Sequence, residues 1–270
     1  MPEGHVIHRL ARDFNERFTG RPLSVTSPQG RFAAEAAFVD GHELDHAEAW
    51  GKHLFIEFDV PRPDHIIHIH LGLIGQLKFE GPDDVAGQVR LHVSNGEESA
   101  NLRGPQWCRL ITAEERAAAI AKVGQDPLRD DADPAEIVDR VRRSRRPIGA
   151  LLVDQKLYAG VGSIYRTETL FRLGVHPLTP GTELDADMLD AMWVDLRELM
   201  EDGVRVGRID TVRPEHTPEA MGREPREDDH GGEVYVYRRT GQPCHVCGTP
   251  VVEVPIESRR VFYCPTCQPA

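Results

Sequence analysis

The spacing of apolar residues predicts a helix at the start of the chain and strands after it. Within residues 3–19, Val6, Leu10, Phe14 and Phe18 recur at helical intervals. From about residue 22 to 112, short apolar runs such as HLFIEFDV and VRLHVSNG alternate with turn residues. Strands at this spacing are typical of a β-sandwich or barrel rather than of alternating strand–helix units.

The second half of the chain has a helical pattern. Residues 123–133 combine charge with turn chemistry and predict a linker. Helical segments follow from Asp133-Pro134 onward, and the Gly-rich stretch KLYAGVG predicts a tight turn before the next helix. We expect Ser163 to be the N-cap of that helix and Gly174 its C-cap.

Three further segments complete the chain. A helix is predicted over roughly 185–202, and the Pro-, Gly- and charge-rich residues 212–232 predict a mobile loop. Residues 233–270 have the pattern of a β-hairpin that carries cysteines.

Composition is that of an ordinary water-soluble protein, with 40% hydrophobic and 28% charged residues. No apolar run is long enough to span a membrane, and the start lacks the features of a signal peptide, so we expect a cytoplasmic protein without membrane contact. The net charge of −12 argues against a polyanionic partner, but residues 140–175 hold eight Lys/Arg against two Asp/Glu. Because polyanion affinity depends on local patches, nucleic acid remains a candidate partner.

Four of the five cysteines predict a metal site. Cys244, Cys247, Cys264 and Cys267 form the pattern C-x2-C-x16-C-x2-C. Two such pairs suit tetrahedral zinc, with no position left open for catalysis. The alternatives are two unrelated thiol pairs or a redox site. We expect one structural Zn²⁺ per chain.

Pro2 and Glu3 are candidates for covalent catalysis. Removal of Met1 before a small residue would expose the secondary amine of Pro2. An α-amine has a pKa of about 8, so roughly a tenth of it is neutral at pH 7 and can attack a carbonyl-like carbon. Glu3 would supply general acid or base chemistry. Alone, a Met-Pro-Glu start also arises by chance.

Two basic features and one histidine pattern have both structural and functional interpretations. The turn before Ser163, with Lys156 and the arginines of 142–146, either binds phosphate at a helix N-terminus or forms a solvated helix hairpin. Arg259 and Arg260 lie at the predicted hairpin tip, where they either reach a partner or remain in solvent. His65, His68 and His70 alternate along a strand, which favours packing over metal binding.

Taken together, these motifs resemble the Fpg/Nei family of bifunctional DNA glycosylases over nearly the full chain. The matching segments are MPEG, WGKHLFIEF, HIHLGLIGQL, DQKLYAGVGSIYRTETLFRLGVHP and the terminal SRRVFYCPTCQ. The start MPEGH is similar to the Nei, or endonuclease VIII, branch and its actinobacterial members.

The resemblance implies a role for each matching residue. Pro2 matches the nucleophile that attacks C1′ of the damaged nucleotide, and Glu3 matches the acid that protonates the opening sugar ring. Lys52, in a strand context, matches the lysine of β-elimination, and Arg259 matches the zinc-finger arginine that grips phosphate and assists δ-elimination. The DNA-binding set is Leu73, Lys156, Gly162, Ser163 and Arg260.

Some residues depart from the family pattern. Ser163 stands where much of the family has an asparagine that binds the DNA backbone, and serine donates the same bond with a shorter reach. Leu73 matches a wedge residue of the Fpg branch, which fills the gap left by a flipped base. RGPQW at 103–107 replaces the Fpg Arg-Arg-Phe pattern, which favours oxidised pyrimidines over 8-oxoguanine as substrates.

We therefore predict a multi-domain α+β protein that acts on damaged DNA as a monomer. Its parts are a catalytic domain over 1–122, with an N-terminal helix and a β-sandwich, a linker over 123–133, a helical H2TH domain over 134–232 and a zinc finger over 233–270. The activity is N-glycosylase with AP lyase by β,δ-elimination. The alternative is a non-catalytic damaged-DNA-binding protein on the same scaffold, which would have no need of Pro2, Glu3 and Lys52 together.

Overall fold

The computed structural model describes residues 2–227 and 232–270. The chain divides into two compact units, Met1–Lys122 and Val123–Ala270. Within those described ranges, no helix has both the length and the apolarity needed to cross a membrane.

The first unit is a β-sandwich with a long N-terminal helix. The elements are α1 Gly4–Phe18, β1 Ser24–Thr26, α2 Ala33–Val39, β2 Glu43–Trp50, β3 His53–Asp59, β4 Asp64–His70, β5 Gln76–Glu80, β6 Val89–Ser94, β7 Ser99–Arg103, β8 Trp107–Thr112 and α3 Ala113–Ile120. Two antiparallel four-stranded sheets have the strand orders β1-β6-β7-β5 and β2-β3-β4-β8. Apolar side chains of the helix and of both sheets share one core, as the periodicity predicts.

Two details of this unit differ from the expectation. The buried apolar side chain in the first turn of α1 is that of Ile7, whereas Val6 is half-buried. The short helix α2 interrupts the predicted run of strands, because its sequence AAEAAFV is rich in strong helix formers.

The second unit contains helices and a β-hairpin around one core. Its elements are α4 Pro134–Val141, α5 Ile148–Leu151, α6 Ser163–Arg172, α7 Ala186–Val206, α8 Pro218–Met221, β9 Val252–Ile256 and β10 Arg259–Tyr263. Phe262 and Cys264 of the hairpin region belong to the same buried cluster as Leu170 and Leu196 of the helices. The segments predicted as an H2TH domain and a zinc finger are therefore packed as one body.

The segment 123–133, predicted as a linker, is part of this second unit. Gly124 and Gln125 donate backbone hydrogen bonds to the carbonyls of Gln155 and Leu157, and Asp126 is fully buried. Its charged composition indicated solvent exposure, but backbone pairing with the turn before α6 overrides that local signal.

The segment 212–232, predicted as a mobile loop, is partly ordered. It contains α8, and Arg223 pairs with Glu233 at 2.6 Å. Arg226 donates to the carbonyl of Tyr237 at 3.2 Å. Residues 228–231 of the loop lie outside the described residues.

Helix α6 also ends differently from the prediction. Its N-cap is Gly162 and Ser163 is its first residue, while Leu173 is the C-cap. Gly174 follows with φ of +69°, and its N–H bonds the carbonyl of Phe171. Glycine suits this position because the left-handed region is strained for other residues.

Candidate active site and DNA interface

Pro2 and Glu3 lie at the N-terminus of α1. Pro2 is half-buried, and Glu3 is only 1% exposed. Glu3 has an extended backbone, and its carbonyl accepts the N–H of Val6 at 3.0 Å. Its carboxylate does not cap the helix. The positive end of the helix dipole favours a negative charge here. In the first turn of α1, burial lowers the pKa of His5 to about 4, with help from Arg9 and His8, so this ring is neutral at pH 7.

Lys52 lies in the turn between β2 and β3 rather than within a strand. It follows Gly51, whose φ of +59° closes the turn, and it is half-buried. Burial lowers the pKa of His70, and the positive charge of Lys52 lowers it further, which places this lysine near the end of β4. The strand context expected for Lys52 is therefore wrong by one residue, because β3 begins at His53.

Two of the three histidines of β4, His68 and His70, form part of a packed ring cluster. His65 instead contacts the Glu57 carboxylate at 3.0 Å. His53 Nδ1 and His68 Nε2 are 2.8 Å apart, and the rings of His70 and Trp107 are tilted by 30° with their centroids 4.6 Å apart. Burial lowers the pKa of His53 to about 4 and that of His68 to about 3, with further contributions from neighbouring cationic groups. These rings are neutral at physiological pH and serve as packing and hydrogen-bonding groups.

A rigid turn after β4 presents two exposed apolar side chains. Leu73 is 70% exposed and Ile74 is 81% exposed. The turn is held by bonds from Gly75 N to the carbonyl of Leu71 and from Gly72 N to His70 Nδ1. Sequence reasoning selected Leu73 and missed Ile74, although the apolar pair between two glycines was a readable signal.

The turn before α6 is closed by one side chain. Gln155 Nε2 donates to the carbonyls of Val153 and Val161, at 3.1 and 2.8 Å, and its Oε1 accepts from Gly160. This arrangement leads the backbone into Gly162 and Ser163 at the N-terminus of α6. A helix start of this kind attracts phosphate, and the exposed Lys156 adds a positive charge beside it.

Two buried charges on α6 attach it to the zinc region. Arg166 is fully buried and donates to the carbonyls of Gly149 and Arg260. Glu168, also fully buried, accepts the backbone N–H groups of residues 235–237 at 2.6 to 3.0 Å. Both charges are therefore compensated by several hydrogen bonds, as a buried ion requires.

The predicted basic surface is smaller than the sequence indicates. Arg146 is paired with Glu257 and Asp154, and Arg143 Nε donates to the carbonyl of Asp139. Arg259 and Arg260 begin β10 and are exposed. The Arg260 guanidinium is 3.4 Å from Glu253.

Four cysteines converge at the base of the hairpin. All four Sγ atoms of Cys244, Cys247, Cys264 and Cys267 lie within 4.8 Å of one another. Tetrahedral zinc with Zn–S bonds of about 2.3 Å separates sulfurs by a little under 4 Å. The distances of 3.9 Å for Cys244–Cys267 and 3.4 Å for Cys247–Cys264 fit that geometry. The donor set accommodates one structural zinc ion, as predicted.

A second group of potential ligands, Asp45, His46 and Glu57, lies on the face of the β2–β3 pair. Asp45 is exposed, and Glu57 is already paired with Arg116 at 2.5 Å. We assign no metal to this group.

A β-sandwich with an N-terminal Pro-Glu, followed by a helical turn and a four-cysteine finger, defines a DNA glycosylase of the H2TH and zinc-finger class. The chain belongs to the Fpg/Nei family, as its motifs predicted. It matches the Formamidopyrimidine-DNA glycosylase N-terminal domain over residues 1–103 and the Formamidopyrimidine-DNA glycosylase H2TH domain over 123–214. Residues 241–270 match the zinc finger found in FPG and IleRS.

Relatives place the chain on the endonuclease VIII side of the family. It is 47% identical to Endonuclease 8 1 of Mycobacterium tuberculosis, an alignment that covers 99% of this chain and all of the relative. It is 30% identical to the Formamidopyrimidine-DNA glycosylase of Chloroflexus aggregans, with 99% and 98% covered.

Solved structures share the fold. A Lactococcus lactis FPG variant in complex with DNA containing Fapy-dG has a TM-score of 0.80 at 20% identity, with both chains fully covered. The Lactococcus lactis Fpg with abasic-site DNA has a TM-score of 0.79 at 19% identity, covering 99% of this chain and all of the other. The predicted α+β fold class is confirmed.

Proposed function

We propose that this protein excises oxidised bases, preferentially pyrimidines, from damaged DNA and then cleaves the strand by β,δ-elimination. The observation that carries the proposal is the position of Pro2 beside the buried Glu3 at the start of α1, in a chain 47% identical to Endonuclease 8 1. The preference for pyrimidines is supported by that relative and by RGPQW in place of the Fpg pattern.

Pro2 is the proposed nucleophile. After removal of Met1, its neutral secondary amine attacks C1′ of the damaged nucleotide, and the bond from C1′ to the base breaks. The sugar ring opens as Glu3 gives a proton to the ring oxygen, which leaves an iminium between Pro2 and C1′. Loss of a C2′ proton then expels the 3′ phosphate, and a second elimination expels the 5′ phosphate. Hydrolysis of the iminium restores the amine.

The remaining site residues bind the DNA backbone and fill the duplex. Lys52 contacts phosphate and assists β-elimination, and Arg259 stabilises the charge that develops on the leaving phosphate during δ-elimination. We add Ile74 to Leu73 as a gap-filling residue, because the two share one exposed turn. The backbone-binding residues are Lys156, Gly162, Ser163 and Arg260. Zinc supports the hairpin and takes no part in the chemistry.

Borohydride trapping tests the proposal. The protein, with its processed N-terminus verified by mass, is incubated with borohydride and duplex DNA that contains either an abasic site or 5-hydroxyuracil. We expect a covalent adduct with the natural sequence and with Pro61→Gly, an exposed control proline, but little or none with Pro2→Gly. Glu3→Gln should lose base excision and keep trapping at a preformed abasic site.

The pattern of adducts on the two substrates distinguishes the candidate functions. No adduct on either substrate would establish the non-catalytic binder instead. An adduct on the abasic site alone would indicate a lyase without glycosylase activity. A parallel reaction with 8-oxoguanine measures the lesion preference. The monomeric state and the cytoplasmic location stay predictions, which size-exclusion chromatography and cell fractionation would check.

A further inference from the structure

The turn that joins β9 to β10 has an unfavourable backbone. Ile256 pairs with Arg259, so Glu257 and Ser258 form a two-residue turn, with φ of +44° and +67°. Such turns favour Asn-Gly or Gly-containing pairs, because other residues are strained at positive φ. Since neither residue is of that type, contacts from outside the hairpin must hold the turn in place.

Arg146 supplies those contacts. Its Nε and Nη2 bind the two carboxylate oxygens of Glu257 at 2.9 and 2.8 Å, and its Nη1 binds Asp154 Oδ2 at 2.8 Å. Arg146 holds the pKa of Glu257 below its usual range. Burial has the largest single effect on the pKa of Asp154 and raises it. The pKa is nevertheless lowered, because the hydrogen bonds from Arg146 and from the N–H of Lys156, with the charges of both residues, together outweigh the burial.

Asp154 connects this cluster to the turn before α6. Its carbonyl accepts the N–H groups of Leu157 and Tyr158, and its Oδ1 accepts the N–H of Lys156. One guanidinium therefore joins the hairpin turn to the segment that leads into the H2TH helix. Because the Arg146–Glu257 pair is bidentate, it fixes the orientation of the Glu257 carboxylate relative to the guanidinium and also compensates the charge.

Arg259 lies between this cluster and a second anchor. The buried Arg166 holds the carbonyl of Arg260, immediately after Arg259, at 2.9 Å. Arg146 holds Glu257, two residues before Arg259. Beside them is a cavity of about 310 Å³, whose polar lining is Arg146, Asp154, Gln155, Arg166, Glu257 and Arg259. The Glu257 carboxylate on one side of Arg259 and the Arg260 carbonyl on the other are thus both anchored, and the Arg259 side chain borders a polar cavity.

We propose that Arg146, Asp154 and Glu257 form a clamp that positions Arg259 for δ-elimination. This inference rests on the role proposed for Arg259 above. Arg146 is then a positioning residue, although it belongs to a run of arginines that resembles a DNA-binding patch. With two carboxylates around it, its charge is compensated, so it contributes little to phosphate binding.

The test resolves the β- and δ-elimination products of an abasic-site duplex in single turnover. The variants are Arg146→Gln, Glu257→Gln, the double variant, and Arg259→Gln as the reference. Arg197→Gln is the matched control, since Arg197 on α7 also pairs with two carboxylates, those of Glu201 and Asp130, and lies outside the arginine run. Thermal melting and zinc content establish that each variant is folded.

We expect Arg146→Gln and Glu257→Gln each to slow δ-elimination about tenfold, with the double variant no worse than either single one. Borohydride trapping at Pro2 and the slope of DNA affinity against salt should not change. Arg146→Lys should recover part of the rate, because lysine keeps the charge without the bidentate geometry. Arg197→Gln should match the natural sequence.

Opposite effects of the Glu257→Gln and Arg146→Gln variants would overturn the clamp. If Glu257→Gln speeds δ-elimination or tightens DNA binding while Arg146→Gln reduces the salt slope by about 1, Arg146 binds phosphate directly. Unchanged rates in both variants, with Arg259→Gln slow, overturn the clamp alone. An unchanged rate in Arg259→Gln overturns the proposed role of Arg259 and the clamp with it, whereas trapping at Pro2 tests the lyase independently.

Discussion

Nη2 of Arg166 donates a 2.9 Å hydrogen bond to the backbone carbonyl of Arg260. Arg166 lies in α6, the helix whose N-terminus is proposed to bind phosphate, and Arg260 lies in the zinc hairpin. The two residues are 94 positions apart in sequence. Because this bond holds the hairpin against α6, the N-terminus of α6 and the hairpin keep a fixed relative position. These two predicted DNA-binding elements therefore form one surface.

Replacing Arg166 should destabilise the second unit. Arg166→Met removes the charge and leaves the carbonyls of Gly149 and Arg260 without that donor, which costs about 3 kcal/mol of unfolding free energy. Denaturant unfolding measures the loss, and Arg140→Met, at an exposed arginine of α4, is the control. A change of less than about 0.5 kcal/mol, the range of ordinary surface substitutions, would show that Arg166 does not support the hairpin.

Zinc removal should affect the second unit selectively. Cys264 and Phe262 belong to the core that contains the helices, so loss of the ion loosens both the hairpin and its packing. We expect a chelator to speed amide exchange in β9 and β10 and to weaken DNA binding at least about tenfold, a loss of about 1.4 kcal/mol. Exchange in α1 and β3 should stay unchanged. Equal loss of protection in both units would contradict this separation.

Stability of the first unit should fall as the solution becomes acidic. His53 and His68 have folded pKa values of about 4 and about 3, whereas an unfolded histidine titrates near 6.5. Between pH 6.5 and about 4 the unfolded chain therefore binds more protons, and each ring removes up to about 1.4 kcal/mol per pH unit on acidification. The contribution is fully present above pH 6.5.

A histidine variant isolates this effect. His68→Phe should make the dependence of unfolding free energy on pH shallower by up to about 1.4 kcal/mol per unit across that window. Ile66→Val, on the same strand as His68, removes no titrating group and should leave the slope unchanged. A slope in His68→Phe equal to that of the natural sequence would show that this ring is not held neutral.

The exposed turn after β4 should matter for duplex DNA and not for folding. Leu73→Ala and Ile74→Ala should each slow excision of 5-hydroxyuracil from duplex about tenfold, because a flipped base leaves a gap that these side chains fill. Single-stranded substrate has no such gap and should react normally. Unfolding free energy should change by less than about 0.5 kcal/mol, since both side chains are solvent-exposed. Val85→Ala is the control, and an equal loss on both substrates would assign the turn to lesion contact instead.

Local patterns predicted much of this protein correctly. The spacing of Phe14 and Phe18 identified α1, because one face of a helix is specified by residues three or four apart. The two Cys pairs identified the zinc site, because each pair brings two thiolates together on one turn, whatever the surrounding fold. Segments such as MPEG and SRRVFYCPTCQ identified the family, and the 47% identity to Endonuclease 8 1 confirms it.

What the tertiary structure decided are relationships between distant positions. Arg146 and Glu257 are 111 residues apart in sequence. From the sequence alone, Arg146 is one of a run of arginines that is a candidate for DNA binding. The charge of segment 123–133 predicts a linker, but in the folded chain its backbone is hydrogen-bonded to the carbonyls of Gln155 and Leu157. Sequence patterns report what a residue and its near neighbours favour. Which charge is neutralised, and which backbone is paired, depends on groups that only the folded chain brings together.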